Sequence, residues 1–138
     1  MTGVQDMDVF KRRAVLKGLD NPGGGADYVT GIQGQLTLTG FDHPVSIAIR
    51  YVPDRYVVTP ESFQAYLETL EALTWNTLEE VAVAAAKDIS NELLTRWAQA
   101  NLRTGDPEND QALTHDVTIE DRQPGWRNDD LLYRLTPI

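Results

Sequence analysis

The chain has no cysteine among its 138 residues, which excludes a disulfide framework, a thiolate metal site and a cysteine nucleophile together. Histidine is nearly as scarce. His43 and His115 are the only two, so one chain cannot supply a three-histidine zinc site, and no metal is expected. Cations are the minority charge: 12 Lys and Arg face 21 Asp and Glu, a net charge of −9 and a pI near 4.5. A surface of that sign argues against holding nucleic acid by its phosphates and against binding an anionic membrane. No apolar run approaches the ~18 residues of a membrane span, and Met1 to Arg13 contains no apolar segment of the secretory kind. The HExxH, Walker A and nucleophile-elbow patterns are missing as well. These absences leave a soluble domain, expected in the cytoplasm, with 1–138 as one unit and 1–27 as its least defined segment.

What is present suits a folded domain. The chain is 41% hydrophobic and 24% charged, within the globular range, and a chain of this size buries roughly two-thirds of its unfolded surface. Asn21-Pro22 followed by Gly23-Gly24-Gly25 reads as a turn; without a strand before it and a helix after it, the glycine run is no phosphate cradle. From Tyr28 the pattern alternates, with Ile32, Leu36 and Leu38 on one face and Gln33, Gln35, Thr37 and Thr39 on the other. Gly40 to Pro44 breaks the run. Val45, Ile47, Ile49 and Tyr51 then alternate with Ser46, Ala48 and Arg50, so the two strands are expected to form an antiparallel hairpin with a loop of about five residues.

Pro53-Asp54 ends the second strand, and Val57-Val58 is a short extended coda. Thr59 can cap a helix that opens with Pro60, and Phe63, Tyr66, Leu67 and Leu70 give it one apolar stripe. Thr77-Leu78-Glu79-Glu80 has the form of a capping box. Leu78, Val81, Ala82, Ala85, Ile89 and Leu93 make the next stripe, with Glu79, Lys87, Asp88 and Glu92 expected off it. Arg96 to Arg103 fits either a continued helix or a strand, and the resemblance described below favours the strand; Gly105 to Asp110 reads as a polar turn, His115 to Asp121 as a further strand and Leu131 to Leu135 as a last apolar segment. The order is that of an α+β domain with helices on one face of an antiparallel sheet.

Three places carry possible chemistry. Asp42-His43, in the hairpin turn, joins a carboxylate to an imidazole, a pair suited to general acid or base work; a solvated turn is the plainer account. At Glu79-Glu80 only one glutamate can serve the cap, which frees the other to face a ligand, although acidic residues at a helix start are favoured by the dipole anyway. His115 shares parity with Val117 and Ile119 and is expected as a satisfied, half-buried histidine. Trp75, Trp97 and Trp126 suit core and interface positions.

The stretch Val45 to Asp54, followed by Ser62-Phe63-Gln64-Ala65-Tyr66-Leu67, resembles the NADPH-dependent 7-cyano-7-deazaguanine reductases. In that family a strand ending in Tyr-aliphatic-Pro-Asp leads to a helix with a Ser-x-x-x-Tyr-Leu core. Leu78-Glu79-Glu80-Val81 is similar to the family's His-Glu-Asp segment, Lys87-Asp88-Ile89 to its Lys-Asp-aliphatic segment, and Leu36-Thr37 with Thr39-Gly40 to its Leu-Cys and Thr-Gly stretch. The likeness spans about Gln35 to Arg103. It implies the tunnelling fold, in which subunits assemble into oligomeric barrels and sites for purine- or pterin-like rings lie between subunits.

The resemblance also implies roles, and the departures from it narrow them. Thr37 stands where the reductases carry their nucleophilic cysteine. The helix start tied to NADPH is here Thr59-Pro60-Glu61-Ser62-Phe63-Gln64, without lysine, with Thr59 in place of a substrate-binding glutamate and Glu61 nearby. Glu79 matches the glutamate that accepts hydrogen bonds from a pyrimidinone edge. His43, or Asp42 if the gap moves by one, falls at the proton-donating position. A ring site kept beside an acid, with nucleophile and reductant lost, implies a cofactor-free reaction on a 7-deazaguanine. The leading expectation is decarboxylation of 7-carboxy-7-deazaguanine, catalysed by His43 and Asp42, with Glu79, Thr37, Thr59 and Glu61 binding substrate. Such a step fits phage DNA modification, and hence the host cytoplasm. The alternatives are another pterin or nucleotide enzyme of this fold and a non-catalytic ring-binding or assembly protein. The partners expected are a small purine-like molecule and copies of the chain itself, with no direct contact to nucleic acid.

Overall fold

The computed structural model describes residues 4–109 and 111–136. Its elements are α1 (Val4–Ala14), β1 (Gly18–Asp20), β2 (Thr30–Leu36), β3 (Val45–Pro53), β4 (Tyr56–Val58), α2 (Pro60–Glu71), α3 (Leu78–Leu93), β5 (Thr95–Gly105), β6 (Thr114–Arg122) and α4 (Asp129–Tyr133). Four strands form an open antiparallel sheet in the order β2-β3-β5-β6, and β1 pairs with β4 in a separate ribbon. Helix α2 packs on β2, and α3 on β5 and β6. This is the α+β arrangement that the residue pattern predicts, and it is like that of the tunnelling fold.

Strand parity builds the core. Val45, Ile47, Ile49 and Tyr51 of β3 and Ala98, Ala100 and Leu102 of β5 are all buried, on the face the helices cover. The helices answer with Phe63, Tyr66, Leu67 and Leu70 from α2 and Leu78, Val81, Ala82, Ala85, Ile89 and Leu93 from α3, also buried. Each large apolar side chain sealed in this way contributes about 1.5–3 kcal/mol. Ala82, Ala85 and Ala86 set against Ala98 and Ala100 bring α3 close to the sheet. Gly34 does the same for α2, since a Cβ there would lie 2.8 Å from Leu67 Cδ1. The other face of the sheet carries Gln35, Ser46, Arg50, Gln99 and Arg103, and Arg50 donates to Gln99 Oε1 at 2.9 and 2.7 Å.

Both helix starts are capped as their sequences predict. Ser62 N–H donates to Thr59 Oγ1 at 3.3 Å, and Glu80 N–H to Thr77 Oγ1 at 3.1 Å. Helix α3 ends at Leu94, whose φ of 52° is left-handed, a reversal that sends the chain directly into β5.

Four expectations need correcting. The hairpin loop is longer than five residues, because pairing stops at Leu36 opposite Val45. The Thr37 N–H, which would extend the ladder, instead donates to Glu71 Oε2 at 2.7 Å. Residues 4–20, expected to be part of the least defined segment, contain α1 and β1. The last apolar segment begins inside the short helix α4, which starts two residues earlier and is capped by Asn128. The polar turn after β5 is found, with Asp110 outside the described residues.

The fourth correction concerns Asp88, which is not on the solvent side of α3 but wholly buried. Its carboxylate accepts from Arg12 Nε, from Arg12 Nη2 at 3.1 Å, from Arg13 Nε at 2.7 Å and from the Tyr66 hydroxyl at 2.6 Å. Position 88 follows the buried positions 81 and 85 by seven and three residues, so it falls at the edge of their stripe. The cations that make its burial tolerable come from α1, 75 and 76 residues away. Burial works against the Arg12 charge, but Asp88 outweighs it and the Arg12 pKa is raised. Burial and the adjacent carboxylate together hold the Tyr66 phenol well above its ordinary value.

Candidate functional site

Register places the hairpin loop and the start of α3 at one end of the sheet. Leu36 pairs with Val45, Val45 with Thr104 and Thr104 with His115, a single row across all four strands. Val45 and His115 are two ladder spacings apart, about 10 Å. The loop holding Asp42 and His43 leaves from the Val45 end of this row, and Thr104 Oγ1 anchors it by donating to the carbonyls of His43 at 3.3 Å and Pro44 at 3.0 Å. Asp42 is exposed and His43 is half-buried. Thr37, also exposed, enters the same loop.

Glu79 and Glu80 divide their duties. Thr77 Oγ1, which caps α3, lies 3.5 Å from Glu80 Oε1, so Glu80 serves the helix start. Glu79 turns away from that cap. Its Oε2 lies 3.0 Å from His115 Nε2 of β6. The carboxyl of Glu79 is held below the ordinary glutamate range, first by its own backbone N–H at the helix start and then by the His115 ring. It is therefore a charged acceptor near neutral pH. His115 was expected to be half-buried without a stated partner; it is exposed, and Glu79 is what satisfies it.

Glu79 also borders an open cleft of about 790 Å³ between α1, the α2–α3 connection and α3, lined by Arg12, Leu73, Trp75, Thr77 and Val83 among others. Trp75 borders it, with the Arg12 guanidinium over its ring at 5.8 Å from the centre, and its indole N–H donates to the Leu70 carbonyl at 2.8 Å. A charged acceptor beside an aromatic wall is chemistry suited to a planar ring with paired N–H donors. A second hollow of about 500 Å³, bordered by Gln35, Ser46, Arg103 and Thr104, opens at the same end on the opposite face of the sheet.

Thr59 and Glu61 lie elsewhere. They begin α2, whose 12 residues run about 18 Å and end near Thr37. Val58 N–H, just before them, donates to the Tyr51 hydroxyl at 2.8 Å, and Tyr51 is six residues along β3 from Val45, about 20 Å. Thr59 is occupied with capping, and its N–H donates to the Lys17 carbonyl at 3.0 Å. Within one chain, then, Thr37, Asp42, His43 and Glu79 share one end of the sheet, while Thr59 and Glu61 occupy the other. Among the described residues no three His, Asp or Glu side chains converge as a metal-ligand set.

No family model matches the chain. Two curated proteins do, one from each of two strains of Acidithiobacillus ferrooxidans, both named NADPH-dependent 7-cyano-7-deazaguanine reductase. Each is 31% identical to it over 108 residues, covering 73% of this chain and 69% of the relative.

Proposed function

The chain belongs to the family of the 7-cyano-7-deazaguanine reductases, and we propose that it acts on a 7-deazaguanine base without reducing it, as a decarboxylase of 7-carboxy-7-deazaguanine. The observation that most supports this reading is Glu79: an exposed carboxylate, ionised near neutral pH, free of capping duty and open to a cleft with an aromatic wall. Such a group accepts the ring N–H and exocyclic amine of a guanine-like edge.

The residues present do not fit the family's reductant. The first turn of α2 offers Glu61 and no lysine or arginine, and Lys17 meets that turn through backbone bonds to Thr59 and Ser62. The Glu61 carboxylate repels the phosphates of a nucleotide at a place where no side-chain cation of the turn offsets it. With no cysteine in the chain, there is also no thiolate to add to a nitrile. No hydride step is assigned.

Decarboxylation needs only a proton and a place for it. His43, as the imidazolium, protonates ring carbon 7. The bond from that carbon to the carboxylate then breaks, its electron pair returns to the ring, carbon dioxide leaves, and His43 regains a proton from solvent. Asp42 supports the imidazolium and disfavours the neighbouring substrate carboxylate. Thr59 and Glu61 join the site from a second copy of the chain, which would pair through the open edges β2 and β6.

The test combines binding and turnover. Thermal unfolding is followed with 7-carboxy-, 7-cyano- and unsubstituted 7-deazaguanine, guanine, GTP and a pterin; a ligand at 100 times its Kd adds about 2.7 kcal/mol of stability. Selective stabilisation by the 7-carboxy compound, with release of carbon dioxide, is the expected result. Binding without turnover would make the chain a ring-binding protein, and no response to any ring would remove the reading. His43→Ala should lower turnover about 10²-fold, and near-normal turnover in that variant removes His43 from the mechanism.

A further inference from the structure

The imidazole beside Glu79 comes from β6, whose side chains have no role in the reading above. In β6 the part-buried Val117 and Ile119 alternate with exposed neighbours, so odd positions face the helices. His115 shares their parity one pleat further on and emerges at the first turn of α3, where its Nε2 meets Glu79 Oε2 at 3.0 Å. The side chains are 50% and 58% exposed, so the pair does not fill the core and a ligand can reach it. An ionised carboxylate only accepts, which puts the shared proton on Nε2. Of the carboxylate's roughly four acceptor directions this bond and the one from its own backbone N–H take two and leave the rest open. Neighbouring Asp116 faces the other side of the sheet, where it accepts from Asn101 at 2.6 Å.

We propose that His115 is the positioning residue for Glu79, holding its carboxylate in the attitude that receives the two N–H donors of the ring. The inference rests on reading Glu79 as the ring anchor. A glutamate on an exposed helical turn has several torsions to freeze when a ligand arrives. A bond from β6 freezes them in the free protein, so the ligand meets a preorganised acceptor and the ordering cost is lower. Two separate elements, α3 and β6, thereby fix one functional group.

The test measures Kd for 7-carboxy-7-deazaguanine by calorimetry, together with turnover at saturation, for the wild type, His115→Ala, His115→Gln and Glu79→Gln. Glutamine can supply an N–H where Nε2 had it. His115→Ala should weaken binding about tenfold while turnover at saturation changes less than about twofold, and His115→Gln should recover most of the loss. Both should melt within about 2 °C of wild type, because an exposed pair adds little stability. In the free protein, ¹⁵N resonances should show Nε2 protonated and should move in Glu79→Gln. Wild-type affinity in His115→Ala while Glu79→Gln has lost binding overturns the inference alone. So does a loss confined to turnover, which would mark direct contact with the reacting atoms, or no recovery in His115→Gln. A wild type that binds no ring overturns the ring-anchor reading first, and the inference with it.

Discussion

Two carboxylates nine residues apart on α3 meet cationic or proton-bearing partners in opposite surroundings. Asp88 is sealed, with four donated bonds from Arg12, Arg13 and Tyr66. Glu79 is open, held by His115 and by its own backbone N–H, with a cleft beside it. The first arrangement is saturated: no acceptor direction remains for a ligand, and the cluster ties α1 to the helix layer. The second is unsaturated by design of its place, at a helix start that favours negative charge and a strand end that lends one donor. What separates a structural carboxylate from a candidate binding carboxylate here is the number of acceptor directions left free, since both carry charge.

The strongest way to break this comparison is to remove the sealed group. Asp88→Ala leaves Arg12 and Tyr66 without their shared acceptor in a buried place. Breaking a buried ion pair from one side costs about 3–5 kcal/mol, so the melting temperature should fall by roughly 10 °C or more for a domain of this size. Circular dichroism during heating reads it. A fall of under about 2 °C would mean that α1 is held by something else and that Asp88 is no keystone.

The open group should respond the other way round. Glu79→Gln keeps the shape and removes the charge, so it should weaken ring binding about 100-fold while the melting temperature moves by no more than about 2 °C. Titration calorimetry and thermal melts on the same sample separate the two. If the stability loss matched that of Asp88→Ala, the two carboxylates would be alike after all. Between them lies Thr77→Ala, which removes the cap of α3 and should cost about 1 kcal/mol, a few degrees, with a smaller loss of binding because Glu79 stays charged.

Local chemistry made much of this legible. The caps at Thr59 and Thr77, the stripes of α2 and α3 and the parity of β2, β3 and β6 each depend on residues within a turn or a pleat of one another, and all are found. His115 was legible halfway: its parity with Val117 and Ile119 tells which face it takes, but not that the first turn of α3 lies over it. Asp88 was misread because its cationic partners are in α1, 75 and 76 residues away, a separation that no local pattern spans. The hairpin loop was misjudged because Glu71, 34 residues on, takes the N–H of Thr37. That only one of Glu79 and Glu80 serves the cap was legible, and the structure gives that duty to Glu80. The separation of Thr59 and Glu61 from the other candidates follows from register and helix length, which residue types alone do not convey.

The finest test of the open carboxylate is its proton. Folding lowers the Glu79 pKa, through its place at the start of α3 and then through His115. Between the folded and unfolded values the unfolded chain binds the extra proton, so stability rises with pH there. The contribution is complete above the ordinary glutamate value of about 4.3 and disappears as pH falls through the lower folded value. Urea unfolding of wild type and Glu79→Gln between about pH 2.5 and 5.5, below the ordinary histidine range, isolates it, because the other carboxylates cancel in the difference. The wild type should lose more stability than the variant on acidification, by a small but reproducible margin. Parallel curves would mean that folding does not favour the charge on Glu79, and the case for it as a preorganised acceptor would then rest on binding data alone.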